Sequence, residues 1–209
     1  QTPNGDDSSK GIFEGCSSLI EVFIPSSLNK IGNHTFKISQ SLKKINFENP
    51  SSLTFIGQQA FEHCESLTEL PTFSSVTFIG NHAFQGCYSL AQISISSFVT
   101  SIGTGVFNVC SSLTQISIPS SVTSIGEYGI AQCSSLTQIS FETPSYLTSI
   151  EDYAFCSNKS LTQISIPSSV TSIGKSAFVG CSSLTQITVP SKINTDNLGI
   201  NSNVKINRI

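Results

Sequence analysis

The chain repeats itself at a period of 23 to 25 residues, and this period constrains its fold more than any other feature of the sequence. The segment SSLTQISIPSSVTSIG occupies residues 111–126, and SLTQISIPSSVTSIG recurs at residues 160–174. A repeat of this length is typical of solenoids, in which each unit forms one coil that stacks on the next. Successive units open at Leu19, Leu42, Leu67, Leu90, Leu113, Leu136, Leu161 and Leu184.

Each unit contains three local patterns. In the unit at residues 113–135, a short β-branched run around Ile116 ends at Pro119, which has no N–H to continue a ladder, and therefore predicts a strand. Residues 122–126 predict a second short strand and a turn, and the rest of the unit up to Cys133 predicts a short helical turn. The fold class predicted is an α/β repeat solenoid, with a parallel β-sheet on one face and helical turns on the other.

The chain divides into three segments. Residues 11–190 hold seven full units with partial ends and form the predicted solenoid. Residues 1–10 are polar and are expected to be a disordered or capping tail. Residues 191–209 are expected to be a partial repeat or cap, with a closing strand near residues 203–206. The first coil lacks a visible cap, so self-association through its apolar N-terminal end is expected.

The repeated residues resemble the BspA-like class of leucine-rich repeats, whose unit looks like L-x-x-I-x-I-P-x-x-V-T-x-I-G-x-x-A-F-x-x-C. The match extends from Gly11 to about Pro190. This resemblance implies a leucine-rich-repeat horseshoe with the parallel sheet on its concave face. It also implies a place on or outside cells, where adhesion to host proteins or to other cells is the usual role.

Charge and composition exclude several classes of function. Only 11% of the residues are charged, the net charge is −3, and Lys and Arg are absent between Lys44 and Lys159. A nucleic-acid partner is not expected, because phosphate binding needs clustered basic residues. No apolar run is long enough to span a bilayer. We expect no cofactor, no metal and no catalytic residue, since no nucleophile, base and orienting group converge; His63 beside Cys64 or Cys87 is the nearest approach to a dyad.

Polar side chains should form columns on the exposed face of the leading strands. Since the apolar residues of each strand face the core, the residues between them face outward. Such neutral amides and hydroxyls suit peptide backbone or sugar hydroxyls; the alternative is that they only hydrogen-bond along their own columns. The candidate ligand-binding residues of these columns are Gln92, Gln115, Gln138, Gln163, Gln186, Ser94, Ser117, Ser140 and Ser165.

Aromatic residues depart from the repeat in the uncharged region from Pro71 to Gly126 and just before it. Phe55 and Phe78 share one slot in adjacent units, whereas Phe73 and Phe98 occupy slots that hold Pro or Ser elsewhere. Exposed aromatic groups with little charge indicate a protein interface, and these four residues are further candidate ligand-binding residues. The alternative is that these rings fold back over the edge of the core.

The cysteines and the glycosylation motifs bear on the cellular compartment. Five of the seven cysteines share one core-facing slot and are predicted to be reduced, buried side chains. Asn33 is a candidate glycosylation site at an exposed turn, whereas Asn158 occupies a cysteine slot and is expected to bond to backbone.

Together these features predict a non-enzymatic surface or secreted binding module for a host or neighbouring-cell protein. It would use the concave sheet and an aromatic patch. The alternatives are a carbohydrate-binding surface and an intracellular, cytoplasmic scaffold.

Overall fold

The computed structural model describes residues 10–48, 51–71 and 73–209, and each repeat unit forms one coil of a parallel β-solenoid. We name each coil by the leucine that opens it. The leading strands are β1 (Glu21–Ile24), β3 (Lys44–Phe47), β7 (Gln115–Ile118), β9 (Gln138–Phe141), β11 (Gln163–Ser165), β13 (Gln186–Val189) and β14 (Lys205–Arg208). The second strands are β2 (Lys30–Ile31), β4 (Phe55–Ile56), β5 (Phe78–Ile79), β6 (Ser101–Ile102), β8 (Ser124–Ile125), β10 (Ser149–Ile150) and β12 (Ser172–Ile173).

The strands pair in the register that the repeat predicts. Gln115 lies opposite Gln138, and Ile116 lies opposite Ile139, so equivalent residues of neighbouring coils stack in columns. The inward columns form one continuous core that includes a stack of phenylalanine rings at centroid distances of 5.3 to 5.7 Å. The solenoid and its inward apolar positions are therefore confirmed.

The predicted helical turns are wrong, because the described residues contain no helix. In the turn segments, residues four positions apart have left-handed backbone angles, as at Gln59 (φ 53°) and His63 (φ 56°), which an α-helix does not tolerate. The N–H groups of alternate residues donate to the next coil, while the N–H groups between them close turns within their own coil. In the Leu42 coil, Gln59, Phe61 and His63 donate to Asn81, Ala83 and Gln85, and Ala60, Glu62 and Cys64 donate to Gly57, Gln59 and Phe61.

Both strand ladders are interrupted at the boundary between the Leu67 and Leu90 coils, and the described residues show further breaks of the leading ladder before β7 and between β9 and β11. On the second ladder, β5 belongs to a sheet with β2 and β4, whereas β6 belongs to a sheet with β8, β10 and β12. On the leading ladder, a single bridge joins Lys44 to Glu69, and no strand is assigned at residues 91–96. The turn segments stay bonded across this boundary, as in the 2.8 Å bond from the N–H of His82 to the carbonyl of Thr104.

The sequence explains why the leading ladder weakens on entering the Leu67 coil. Pro71 lies opposite Asn46 of the Leu42 coil in the register of the Lys44–Glu69 bridge, and it has no N–H to extend that bridge. Thr72, which lies outside the described residues, takes the slot of a core isoleucine, and the next residue, Phe73, is buried instead. This shift by one residue changes which side chain of the coil faces the core.

The two ends of the solenoid differ. The strand expected near residues 203–206 is present as β14, which pairs in parallel with β13. Arg208 closes this end by donating to the carbonyl of Ile193 at 2.5 Å. At the other end Ile12 and Phe23 are exposed. The tail expected at residues 1–10 lies, except for Lys10, outside the described residues.

Candidate functional site

A shallow groove of about 720 Å³ crosses the face of the leading strands over four coils. A neighbouring groove of about 480 Å³ continues it over the next coils and shares Gln138 with it. Together the two grooves contain every predicted glutamine and serine of this face. The first is lined by Gln92, Ser94, Gln115, Ser117, Gln138 and Ser140, and the second by Gln138, Gln163, Ser165 and Gln186.

The side-chain amides of the five groove glutamines have no hydrogen-bond partner in the part of the chain that the structure describes. The threonines that precede them behave differently: the Thr137 and Thr185 hydroxyls donate to the carbonyls of Thr114 and Thr162 in the preceding coils. On this face, therefore, the threonine hydroxyls stabilise the stack of coils, whereas the glutamine amides only face solvent.

One end of the groove lies where the leading ladder is interrupted around the Leu67 and Leu90 coils. Glu69, Leu70, Gln92, Ile93 and Ser94 all line it. Among the described residues, no backbone hydrogen bond joins residues 92–94 to either neighbouring coil. This part of the groove therefore offers backbone donors and acceptors beside the side-chain amides. Glu69 is the only charged residue of the lining.

The four predicted aromatic residues do not lie together. Phe73 is only 4% exposed and packs against Phe47 and Phe84, so the expectation of an exposed ring is wrong. Its ring packs in the core one residue after the slot that Ile, Val or Phe fills in other coils. Phe98 is 61% exposed, on the edge turn that connects a leading strand to a second strand.

Phe55 and Phe78 lie on the second ladder, away from the groove. Their rings stack at a centroid distance of 4.8 Å with an angle of 11° between their planes. Both side chains are half-buried, and the ammonium of Lys30 lies 4.4 Å from the centroid of the Phe55 ring. A cation over the ring face stabilises this stack at one end.

Tyr146 is an exposed aromatic residue that the sequence reasoning missed. It is 61% exposed, and its slot on the edge turn is the one that Phe98 occupies two coils earlier. Serine fills this slot in the other coils, at Ser27, Ser52, Ser75, Ser121 and Ser169. Aligning the two 25-residue units on their prolines, after the two inserted residues, would have identified it.

The cysteine thiols are structural groups. Burial raises the pKa of Cys64 and of Cys133 to about 12 and that of Cys181 to about 11, which disfavours the thiolate. Each thiol instead donates to a phenylalanine carbonyl of the preceding coil, as Cys64 does to Phe36 at 3.1 Å. Cys87 bonds to Phe61 in the same way, so neither cysteine near His63 is placed as a nucleophile.

Among the described residues no three His, Cys, Asp or Glu side chains are grouped closely enough to hold a metal ion. This part of the chain also includes no helix with the length and hydropathy needed to cross a bilayer.

The two glycosylation motifs have different surroundings. Asn33 is half-buried on a turn, where its side-chain oxygen accepts the N–H of Gln58 at 2.9 Å; its modification stays a prediction. Asn158 is fully buried, and its amide donates to the carbonyls of Ile130 and Phe155. The expectation that Asn158 bonds to backbone in a cysteine slot is confirmed.

Comparisons with known proteins agree with this architecture. The family described as "BspA type Leucine rich repeat region" matches residues 7–137 and 100–209, in six copies. Among curated proteins no match is found.

Several solved structures are similar. A leucine-rich repeat protein from Eubacterium ventriosum is 29% identical, with a TM-score of 0.73 over 86% of this chain and 46% of that chain. The T. pallidum protein TpLRR is 27% identical, with a TM-score of 0.63 over 84% of this chain and 70% of that chain. The pneumococcal vaccine antigen PcpA, at 22% identity and a TM-score of 0.52 over 91% of this chain and 63% of that chain, shares the fold. The chain belongs to the BspA-type leucine-rich repeat proteins.

Proposed function

We propose that this chain is a non-enzymatic module that binds a protein partner through the groove on its leading strands. The observation that carries this proposal is the row of five glutamine amides that line the groove without hydrogen-bonding to the protein itself. Amides both donate and accept hydrogen bonds, as a peptide backbone requires of its partner. A column that repeats one residue type suits a partner segment that runs along the solenoid.

The interruption of the leading ladder supports a peptide rather than a sugar as ligand. The backbone groups of residues 92–94 have no ladder partner among the described residues, and they lie beside the amides of Gln92 and Gln115. Main-chain pairing gives affinity for extended peptides, while flanking side chains give selectivity. An uncharged lining also favours a neutral partner surface, with Glu69 as the one acidic contact.

The test makes the same change, glutamine to arginine, on two different faces of the Leu113 coil. Gln115→Arg places a long charged side chain in the groove, and Gln132→Arg makes the same change on the turn segment, where Gln132 is exposed. A photo-crosslinking residue at Ser117 identifies partners from host-cell surface extract. We expect Gln115→Arg to reduce crosslinking at least tenfold and Gln132→Arg to leave it unchanged.

Two results would reject the proposal. One is equal loss of crosslinking in both variants, which would indicate a general effect on the surface. The other is crosslinking that disappears after enzymatic removal of glycans from the extract, which would favour the carbohydrate-binding alternative.

We further propose that the module works on or outside the cell, as the family resemblance implies. Labelling of intact cells by an antibody against the groove supports this location. Labelling only after permeabilisation would favour the intracellular scaffold.

We also propose that the N-terminal end self-associates, since Ile12, Ile20 and Phe23 are exposed there next to the unpaired edge of β1. Sedimentation at increasing concentration tests this, with Phe23→Ser expected to shift the protein towards monomer. A monomer at all concentrations would contradict it.

A further inference from the structure

The edge turns of the solenoid carry two exposed aromatic rings two coils apart. Phe98 and Tyr146 are each 61% exposed and share one slot, with Ser121 in the same slot of the coil between them. The three coils are in register at this edge: the N–H of Tyr146 donates to the carbonyl of Ser120, and the Ser121 hydroxyl donates to the carbonyl of Val99. The edge lies outside the groove of the leading strands.

The separation of the two slots follows from the solenoid. Neighbouring parallel strands lie about 4.8 Å apart, so slots two coils apart are separated by about 9.6 Å. A polyproline II helix has three residues per turn and rises about 3.1 Å per residue, which gives about 9.3 Å per turn. Residues i and i+3 of such a helix therefore fall opposite the two rings.

Three serine hydroxyls of the edge are already engaged, which leaves fewer polar groups for a sugar ligand. The Ser121 hydroxyl donates to Val99 at 2.6 Å, and the Ser169 hydroxyl donates to Leu147 at 2.7 Å. The Ser145 hydroxyl accepts the N–H of Leu147. The two exposed ring faces are the main apolar feature of this edge, and a proline ring needs such apolar contact, whereas a sugar needs partners for many hydroxyls.

One carboxylate stands between the two rings. Glu142 is exposed, and its Oε2 accepts the N–H of Ser120 at 3.1 Å, which fixes it over the intervening coil. No other Asp, Glu, Lys or Arg occurs in the edge segments 95–101, 118–124, 141–149 and 166–172. A basic side chain between the two prolines of a ligand would meet this carboxylate.

We propose that Phe98, Tyr146 and Glu142 form a docking site for a proline-rich segment of a partner protein, in the polyproline II conformation and carrying Arg or Lys. The rings contact prolines at i and i+3, and Glu142 pairs with the basic side chain between them. This site acts independently of the groove, so either can fail without the other.

The experiment measures binding of a labelled nine-residue proline peptide, with arginine at its third and sixth positions, by fluorescence anisotropy. The control peptide keeps both arginines and replaces every proline by glycine or serine, which removes the polyproline II preference. We expect Phe98→Ser and Tyr146→Ser each to weaken binding of the proline peptide about tenfold. Serine occupies this slot in five other coils, so the substitutions suit the local fold.

A second pair of variants tests the spacing and the charge. Tyr146→Ser combined with Ser121→Phe keeps two rings but moves them to adjacent coils, about 4.8 Å apart, and should not restore binding. Glu142→Gln keeps an oxygen for the Ser120 N–H and should weaken the arginine peptide but not a peptide of prolines alone. Tyr88→Ser removes an exposed ring that lies outside the edge turns and should leave binding unchanged.

Four results would overturn the proposal. They are absence of binding by the proline peptide, equal binding of the glycine-serine peptide, full binding by the adjacent-ring variant, and displacement of the peptide by an oligosaccharide. Circular dichroism of every variant shows whether it is folded, and Glu142→Gln provides the test should a serine variant fail to fold.

Discussion

Two coil boundaries show which contacts hold neighbouring coils of this solenoid together. One lies between the Leu67 and Leu90 coils, and the other lies between the Leu113 and Leu136 coils. At the second boundary β7 pairs with β9 and β8 pairs with β10. At the first, neither strand ladder is continuous, yet the turn segments remain bonded and the core is unbroken. The turn segments and the core therefore hold two coils together where strand pairing is absent.

The difference shows where this fold can accommodate a binding site. The leading strands form the floor of the groove, so an interruption of their ladder leaves unpaired backbone groups at that floor, whereas the turn segments lie elsewhere on the coil. Stability and ligand contact thus depend on different segments of each repeat, and a departure such as Pro71 changes one with little effect on the other.

The same core substitution at both places tests this comparison and should have the largest effect. Ile116 in the regular region is 2% exposed, whereas Ile93, in the equivalent slot of the Leu90 coil, is half-buried and lines the groove. We expect Ile116→Asp to lower the free energy of unfolding by about 4 kcal/mol or more, because it buries a charge without a partner. Ile93→Asp should lower it by less than half as much.

Urea denaturation followed by circular dichroism measures both values, and hydrogen exchange shows how many coils open. Loss of protection in the neighbouring Leu90 and Leu136 coils is expected for Ile116→Asp, since each coil stabilises its neighbours. Equal destabilisation by the two variants would mean that the interrupted boundary is as tightly closed as the regular one.

The repeat alone was enough to predict the register, the inward columns and the closing strand, because equivalent residues of stacked coils must coincide. It could not predict the backbone of the turn segments, where non-glycine residues such as Tyr128 and Tyr153 adopt positive φ. The spacing of apolar side chains in these segments is compatible both with a helical turn and with the observed backbone. Only the direction of the N–H groups distinguishes these two conformations. The burial of Phe73 was missed because assigning residues by their slot in the repeat assumes that every coil keeps the same register. The Leu67 coil is shifted by one residue, which places Phe73 in the core.

Asn158 is a departure from the repeat that adds hydrogen bonds, in contrast to Pro71. It makes three: its amide donates to Ile130 and Phe155, and its oxygen accepts the N–H of Cys133 at 2.9 Å. We expect Asn158→Ala to lower the free energy of unfolding by about 3 kcal/mol, because buried backbone groups lose their partners. Cys133→Ala removes one weak thiol donor and should lower it by about 1 kcal/mol.

Urea denaturation of both variants and of Asn158→Cys provides the comparison. The cysteine restores the side chain typical of the slot and should recover part of the loss. A smaller effect for Asn158→Ala than for Cys133→Ala would show that the asparagine adds no stability to the stack.

Restoring the backbone N–H that Pro71 lacks should have the smallest effect on stability. Its effect on structure should be confined to nearby residues. Pro71→Ser supplies an N–H opposite Asn46, in the register set by the bridge between Lys44 and Glu69. The new hydrogen bond contributes about 1 kcal/mol, and the loss of proline costs a similar amount through the unfolded state. Unfolding should therefore change little, while the new amide of residue 71 should be protected from hydrogen exchange. Rapid exchange of that amide would mean that the shift at Phe73, not the missing N–H, opens the ladder.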